Sequence, residues 1–127
     1  MTVQTKRVYE PPSSSDGRRY LIDRLWPRGI KKQDLSLSEW LKDLAPSPEL
    51  RAWFGHDPLK YPVFRQRYRA ELAQQPGLLD RLARESRSGT ITLLFAAHDR
   101  EHCNASVLQE LLIERSRGGT KAERSQE

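Results

Sequence analysis

A chain of 127 residues falls in the size range of one domain, and with 36% hydrophobic and 31% charged residues it must build a compact core. No stretch approaches the roughly 20 apolar residues that span a bilayer. Lys6 and Arg7 also interrupt the N-terminus where a secretory signal would be apolar, so a cytoplasmic location without membrane contact is expected. The single cysteine, Cys103, excludes an intramolecular disulfide, and the formal net charge of +5 permits an anionic partner without demanding one.

Taken in chain order, Val3 to Tyr9 carries β-formers and predicts a first strand, stopped by the loop Glu10-Pro11-Pro12-Ser13-Ser14-Ser15-Asp16-Gly17, which is expected to be mobile. Tyr20 to Leu25 predicts a second strand, closed by Trp26-Pro27-Arg28-Gly29, where Pro27 biases Trp26 away from helical geometry. Leu35 to Leu44 reads two ways. Leu35 and Leu37 alternate, whereas Leu37, Trp40, Leu41 and Leu44 have helical spacing; a strand over the second half is the expectation. Ser47 as cap, Pro48 as first residue and Glu49 in the first turn predict a short helix from Pro48 to about Phe54.

Gly55-His56-Asp57-Pro58 restarts the chain, with Asp57 as cap and Pro58 opening a longer helix whose Tyr61, Phe64, Tyr68 and Leu72 form one apolar stripe. Pro76-Gly77 breaks it near Gln75, and Leu78, Leu79 and Leu82 mark another short helix ending in Ser86-Arg87-Ser88-Gly89. Thr90 to Ala97 is almost uniformly apolar and β-prone, as a central strand covered on both faces would be. Asp99 is placed to cap a last helix that buries Ala105, Leu108, Leu111 and Leu112. Beyond Ser116 the chain is polar and aperiodic, so residues 1–115 are expected to form the domain and 116–127 a disordered tail. The sum is a single α/β domain with a mostly parallel sheet of about four strands and helices packed on it, three-layered in the Rossmann-like or flavodoxin-like manner.

In open α/β sheets, ligands collect beyond the carboxyl ends of strands. The first such junction is Asp23 to Gly29, where Arg24 and Arg28, beside Trp26, offer forked donors to a phosphate or carboxylate. The competing reading has Asp23 and Arg24 in structural ion pairs and Trp26 in the core. The second junction places His98, Asp99, His102 and Cys103 within six residues. If Asp99 is the cap, His102 and Cys103 lie in the first helical turn, where the dipole favours thiolate; otherwise Cys103 is an inert small hydrophobe and His102 bonds local backbone.

His98, His102 and one cysteine are not a recognised ligand set, so no metal site is expected. A third cluster joins His56, Asp57 and Arg51, in which His56 and Asp57 would act as a general-base pair unless Asp57 only caps its helix. No P-loop, Gly-x-Gly-x-x-Gly, Gly-x-Ser-x-Gly or Cys-x-x-Cys occurs, so triphosphate hydrolysis, Rossmann dinucleotide binding, the serine-hydrolase elbow and dithiol redox lack support, and no cofactor is expected.

These residues resemble the YeaO-like family, short bacterial and archaeal proteins within a larger domain-of-unknown-function family. The likeness runs from about Lys6 to Leu112. It rests on Asp23-Arg24-Leu25-Trp26-Pro27-Arg28-Gly29, Trp40-Leu41-Lys42-Asp43-Leu44-Ala45-Pro46-Ser47, Leu50-Arg51 with Trp53-Phe54-Gly55-His56-Asp57-Pro58, Phe64, Tyr68, Glu71 and Leu72, and Asp99 with Glu101-His102 and Ala105-Ser106-Val107-Leu108. The resemblance implies a compact α/β domain and supplies positions without an established reaction. Relatives have Asn directly after the His, where this chain has Cys103 and then Asn104. On that ground Arg24, Arg28, Lys42, Arg51, His56, Asp57, Asp99 and His102 rank above Cys103, with Lys42 expected to point into the same cleft.

The leading expectation is a small anionic ligand between the Trp26 turn and the Asp99 to Cys103 segment, with His102 or His56 moving a proton if chemistry occurs. The alternative is nucleic-acid association through the basic stretch Arg18 to Lys32, with the Arg65 and Arg69 helix face.

Overall fold

The computed structural model describes the backbone of residues 2–126 and the side chains of residues 2–117. Among them, β1 (Thr2–Arg7), β2 (Arg18–Leu21), β3 (Glu39–Trp40) and β4 (Thr90–Phe95) form one all-parallel sheet in the order β1-β4-β2-β3. The apolar run that predicts a central strand is β4: Ile91, Thr92, Leu93, Leu94 and Phe95 are each 0% exposed. The helices are α1 (Lys32–Leu35), α2 (Pro48–Phe54), α3 (Tyr61–Leu72), α4 (Pro76–Ser88) and α5 (Asn104–Gln126). No helix of the described residues is long and apolar enough to cross a membrane.

The two faces are covered unequally. Val3, Tyr20, Ile91, Leu93 and Phe95 pack against residues of α2, α3, α4 and α5 in the larger core. Leu21 and Leu94 point to the other face, where Val8, Leu35 of α1 and the loop residues Trp26, Ile30 and Leu37 make a smaller cluster. The expected layering is present, with one layer thick and one thin.

Helix starts follow the local chemistry. Ser47 Oγ accepts the Leu50 amide at the start of α2, and Glu71 of α3 accepts both the Ser47 amide and hydroxyl, so the cap is itself anchored. Asp57 does cap, accepting the Leu59 amide, but Pro58–Lys60 is a 3-10 turn and α3 begins at Tyr61. Pro62 has no amide to bond back to the Pro58 carbonyl, so the first turn closes instead from the Tyr61 amide. Pro76 opens α4 directly, a full 13-residue helix where a short one was expected.

Several boundaries differ from the sequence reading. β2 ends at Leu21 and not at Leu25, for a reason given below. The strand expected over the second half of residues 35–44 contracts to Glu39–Trp40, followed by a 3-10 turn at Lys42–Leu44. The final helix starts at Asn104, four residues later than an Asp99 cap would place it. Ser116 lies within α5 and is 2% exposed; most of the expected 116–127 tail falls outside the residues whose side chains are described.

The loop between β1 and β2 is a built element. It crosses β4 on the thin face, where Thr92 Oγ1 donates to the Asp16 carbonyl at 2.6 Å. Asp16, only 2% exposed, closes a capping box on Ser13 and receives Lys6 Nζ at 2.9 Å and Arg19 Nη1 at 2.5 Å. Arg19, 4% exposed, also donates to the carbonyls of Leu35 and Ser36, tying β2 to the end of α1. Gly17 is wedged beneath this loop at φ 63°, where an added Cβ would lie 2.0 Å from the Thr90 carbonyl oxygen.

Gly17→Ala is therefore expected to cost more than about 3 kcal/mol in thermal denaturation, through clash and left-handed strain together. Gly29→Ala, at φ 77° with nothing within 4 Å, should cost only the backbone strain, about 1–2 kcal/mol. Burial pushes the Asp16 carboxyl up, but hydrogen bonds from Lys6, the Ser13 amide and Arg19 hold it below its ordinary value of 3.8. A lowered carboxyl stabilises the fold above its unfolded pKa and loses that contribution as pH falls, so the urea midpoint should drop on acidification below 3.8. Asp16→Asn should flatten that acid limb and lower stability at neutral pH by about 3 kcal/mol, because Arg19 is left buried without its counter-charge.

Candidate functional site

Beyond the carboxyl ends of β2 and β4 the chain departs in opposite directions. After β4 it turns to α5 on the thick face; after β2 it turns to Trp26, Ile30 and α1 on the thin one. Such a switch point opens a crevice that neither connection fills. Here the crevice is a cavity of about 600 Å³, within the range of small-molecule sites.

One carboxylate holds the crevice open. The Ile22 amide still bonds the Leu94 carbonyl at 3.2 Å, and the next rung of a parallel ladder would join the Ala96 amide to the Ile22 carbonyl. That rung is replaced by side chains. Asp23 Oδ2 accepts the Ala96 amide at 2.9 Å, while Asn104 Nδ2 donates to the Ile22 carbonyl at 3.3 Å and to Asp23 Oδ1 at 2.8 Å. This is why β2 ends early. Burial pushes the Asp23 carboxyl above its ordinary range, against the pull of Asn104, the Ala96 amide and the charges of Arg51 and His56. The competing reading, in which Asp23 and Arg24 make structural ion pairs, is not met among the described residues: the Asp23 carboxylate is committed to the Ala96 amide and Asn104.

Of the residues singled out from sequence, Arg24, Trp26, Arg28, Arg51, His56, His98, Asp99 and Cys103 line this cavity. Lys42, Asp57 and His102 do not. Lys42 stacks on the Trp40 ring at 4.0 Å, held to its neighbour by cation–π attraction instead of entering the cleft. Asp57 serves its cap, and no His56–Asp57 hydrogen bond forms.

His56 follows the α2 C-cap, Gly55 at φ 53°, and itself adopts φ 58°. Two successive left-handed residues turn the chain sharply at the cavity wall, where the α2 helix and the following 3-10 turn meet. Trp26 packs edge-on against Trp40 at 5.4 Å and donates Nε1 to the Ile30 carbonyl, so it is a wall and not a free platform.

At the second junction, Asp99 Oδ1 accepts the amides of Glu101 and His102, each at 3.0 Å, and Oδ2 meets His102 Nδ1 at 2.9 Å. The His102 amide, foremost, holds the Asp99 carboxyl below its ordinary range. His102 then sets its ring edge-on to Tyr61 of α3 at 5.0 Å, away from the cavity. Cys103 precedes α5 rather than lying in its first turn, is 2% exposed, and has its thiol pushed up by burial. Dipole activation of the thiol, considered from sequence, is thus reversed. Among the described residues no group of three or more His, Cys, Asp and Glu is placed to hold a metal ion.

Sequence reasoning missed Asp23 as a site former, Asn104 as its partner, and Arg7. From the end of β1, Arg7 donates Nε to the Ala97 carbonyl at 2.9 Å and Nη2 to the Ala96 carbonyl at 3.2 Å, and stands 3.4 Å from His98 Nδ1. A carboxylate directly after the apolar run Tyr20-Leu21-Ile22 was a readable signal; an arginine 90 residues from its acceptor was not. The raised thiol leads to one expectation: iodoacetamide should alkylate Cys103 in the native protein at least about tenfold more slowly than in the urea-unfolded chain. Equal rates would mean that the thiol is accessible and ionised.

The family model described as the inactive DUF488-N3 subclade matches residues 2–126. The uncharacterized protein YeaO of Escherichia coli (strain K12) is 48% identical over 112 residues, covering 88% of this chain and 97% of that protein. Uncharacterized proteins of Mycobacterium bovis and of Mycobacterium tuberculosis H37Rv are each 40% identical over 110 residues, covering 87% of this chain and 92% of theirs. No solved structure matches. On these likenesses the chain belongs to the YeaO-like family, within the inactive DUF488-N3 subclade.

Proposed function

We propose that this protein binds a small anionic ligand in the switch-point cavity, with Arg24, Arg28, Arg51 and His56 as the cationic groups, and that it does so without catalysing a reaction. The observation that carries the reading is that three arginines without an ion pair meet at one cavity, whereas the other described arginines without one, Arg7, Arg67, Arg84, Arg87 and Arg117, do not line it. Seven arginines, Arg18, Arg19, Arg65, Arg69, Arg81, Arg100 and Arg115, pair with carboxylates. Arg24, Arg28 and Arg51 are exposed, line one cavity and make no ion pair with any described residue. Asp23 and Asp99 also line the cavity, but their oxygens are taken by amides and by Asn104 and His102, so the guanidinium groups keep their forked donors for an acceptor such as phosphate or carboxylate.

The absence of catalysis is supported by the state of the reactive groups. Asp99 and His102 bond each other and local backbone, the Cys103 thiol is buried and raised, and the subclade itself is described as inactive. The nucleic-acid alternative draws less support, since several of its cations are already paired and Arg24 and Arg28 line the cavity. Arg18 bonds Glu85, Arg19 is buried on Asp16, and Arg65 and Arg69 pair with Glu110 and Glu114.

A thermal-shift series with inorganic phosphate and with phosphorylated and carboxylated metabolites tests the reading. A ligand at 100 times its Kd adds about 2.7 kcal/mol, which in a domain of this size raises Tm by roughly 10 °C. Arg28→Ala and Arg51→Ala should each remove most of that rise while leaving the unliganded Tm nearly unchanged. A rise that survives both substitutions would place the ligand elsewhere.

A further inference from the structure

The cavity's polarity is sorted by depth. Its cations Arg24, Arg28, Arg51 and His56 are exposed and stand at the mouth. Of its apolar lining, Phe54, Phe64 and Cys103 are buried, at 5%, 1% and 2% exposed, while Tyr9 and Leu25 are exposed beside the cations. The charge that lies inward, Asp23, has both oxygens committed to the Ala96 amide and Asn104. An anion driven to that depth would meet a second negative charge in a poorly screened setting. Hydroxyl groups driven there would have to share Asp23 oxygens that already accept from the Ala96 amide and Asn104, and those lying against the Phe54 and Phe64 rings would be left unmet, at a cost in free energy for each.

The two ends of the cavity therefore ask for different chemistry from a single occupant. Resting on the anion-binding reading above, we infer that the ligand is an amphiphilic anion, an aryl phosphate or aryl carboxylate whose charged head stays at the arginine-lined mouth while its flat apolar body enters against Phe54 and Phe64. The apolar body supplies affinity in proportion to the area it buries, and the head supplies orientation. Small hydrophilic anions and sugar phosphates satisfy only the mouth.

The test measures binding of four probes by titration calorimetry and by amide chemical shifts of the full chain: naphthyl phosphate, naphthol, glycerol phosphate and inorganic phosphate. Naphthyl phosphate should bind at least about tenfold tighter than inorganic or glycerol phosphate, a difference of about 1.4 kcal/mol. It should also bind more tightly than naphthol, and Arg28→Ala should narrow that second gap. The amides of Ala97, Cys103 and Asn104 should shift with naphthyl phosphate and stay in place with inorganic phosphate, a readout that needs no variant. Equal binding of all three phosphates would overturn the amphiphile inference while leaving the anion reading intact. Naphthol binding as tightly as naphthyl phosphate would overturn the anion reading, and failure of all four to bind would overturn both.

Discussion

Asp23 stands between two strands that would otherwise continue to pair. By accepting the Ala96 amide and the Asn104 side chain, its carboxylate takes over the acceptor role of one rung and lets the backbone of β2 leave the sheet after Ile22. The Ala96 amide and the Ile22 carbonyl, which the lost rung would have joined, each keep a partner, as splaying two buried strands requires. The cavity, the start of α5 and the departure of the Trp26 loop to the opposite face all depend on that substitution. The indole of Trp40 donates to the Asp23 carbonyl at 2.7 Å, so the same residue also anchors the edge strand through its main chain.

The thin face adds a buried ion cluster to its small apolar core, where the thick face relies on apolar packing. Lys6, Asp16 and Arg19 meet beneath the β1–β2 loop, and Arg19 extends the network to the end of α1. A loop has too little apolar surface to cover a sheet alone, and the buried ion cluster, with each partner hydrogen-bonded, compensates by fixing the loop's course. On the thick face, Phe54 stacks on Phe64 at 4.1 Å and Phe64 on Tyr68 at 5.5 Å, so α2 and α3 form one aromatic block behind the cavity. Salt bridges from Arg65 and Arg69 to Glu110 and Glu114 then lash α3 to α5 on its outer side. The cavity is thus lined on one side by a rigid aromatic wall and on the other by the loop from Arg24 to Arg28.

Functional character follows from which charges are used up by the fold. His102 and Asp99 look like a catalytic pair in sequence, yet their bonds run to each other, to amides of their own turn and to the edge of Tyr61. The arginines around Asp23 have no such employment. Asp99, His102 and Cys103 are thus engaged by the fold, whereas Arg24, Arg28, Arg51 and His56 face the cavity without an ion pair to any described residue.

Much of the architecture was legible because it rests on local signals. The apolar run of β4, the Ser47-Pro48 start of α2, the Asp57 cap and the spacing of Phe64, Tyr68 and Leu72 each encode their element within a few residues, through backbone bonding and burial periodicity. Clustering of Arg24, Arg28 and Arg51 near strand and helix ends could be anticipated in the same way, since loops beyond parallel strands share one edge of the sheet. The roles of Asp23, Arg7 and Asp16 could not. Asp23 and Arg7 bond Ala96 and Ala97, 73 and 90 residues away, and the Asp16 carbonyl is held by Thr92, 76 residues on; bonds over such separations leave no periodic trace. Composition and spacing were enough for the kind of fold and for the end of the sheet at which a cavity opens. Which charges that site kept free depended on pairing across the sheet, because a carboxylate or guanidinium is available to a ligand only after the packed chain has finished with it.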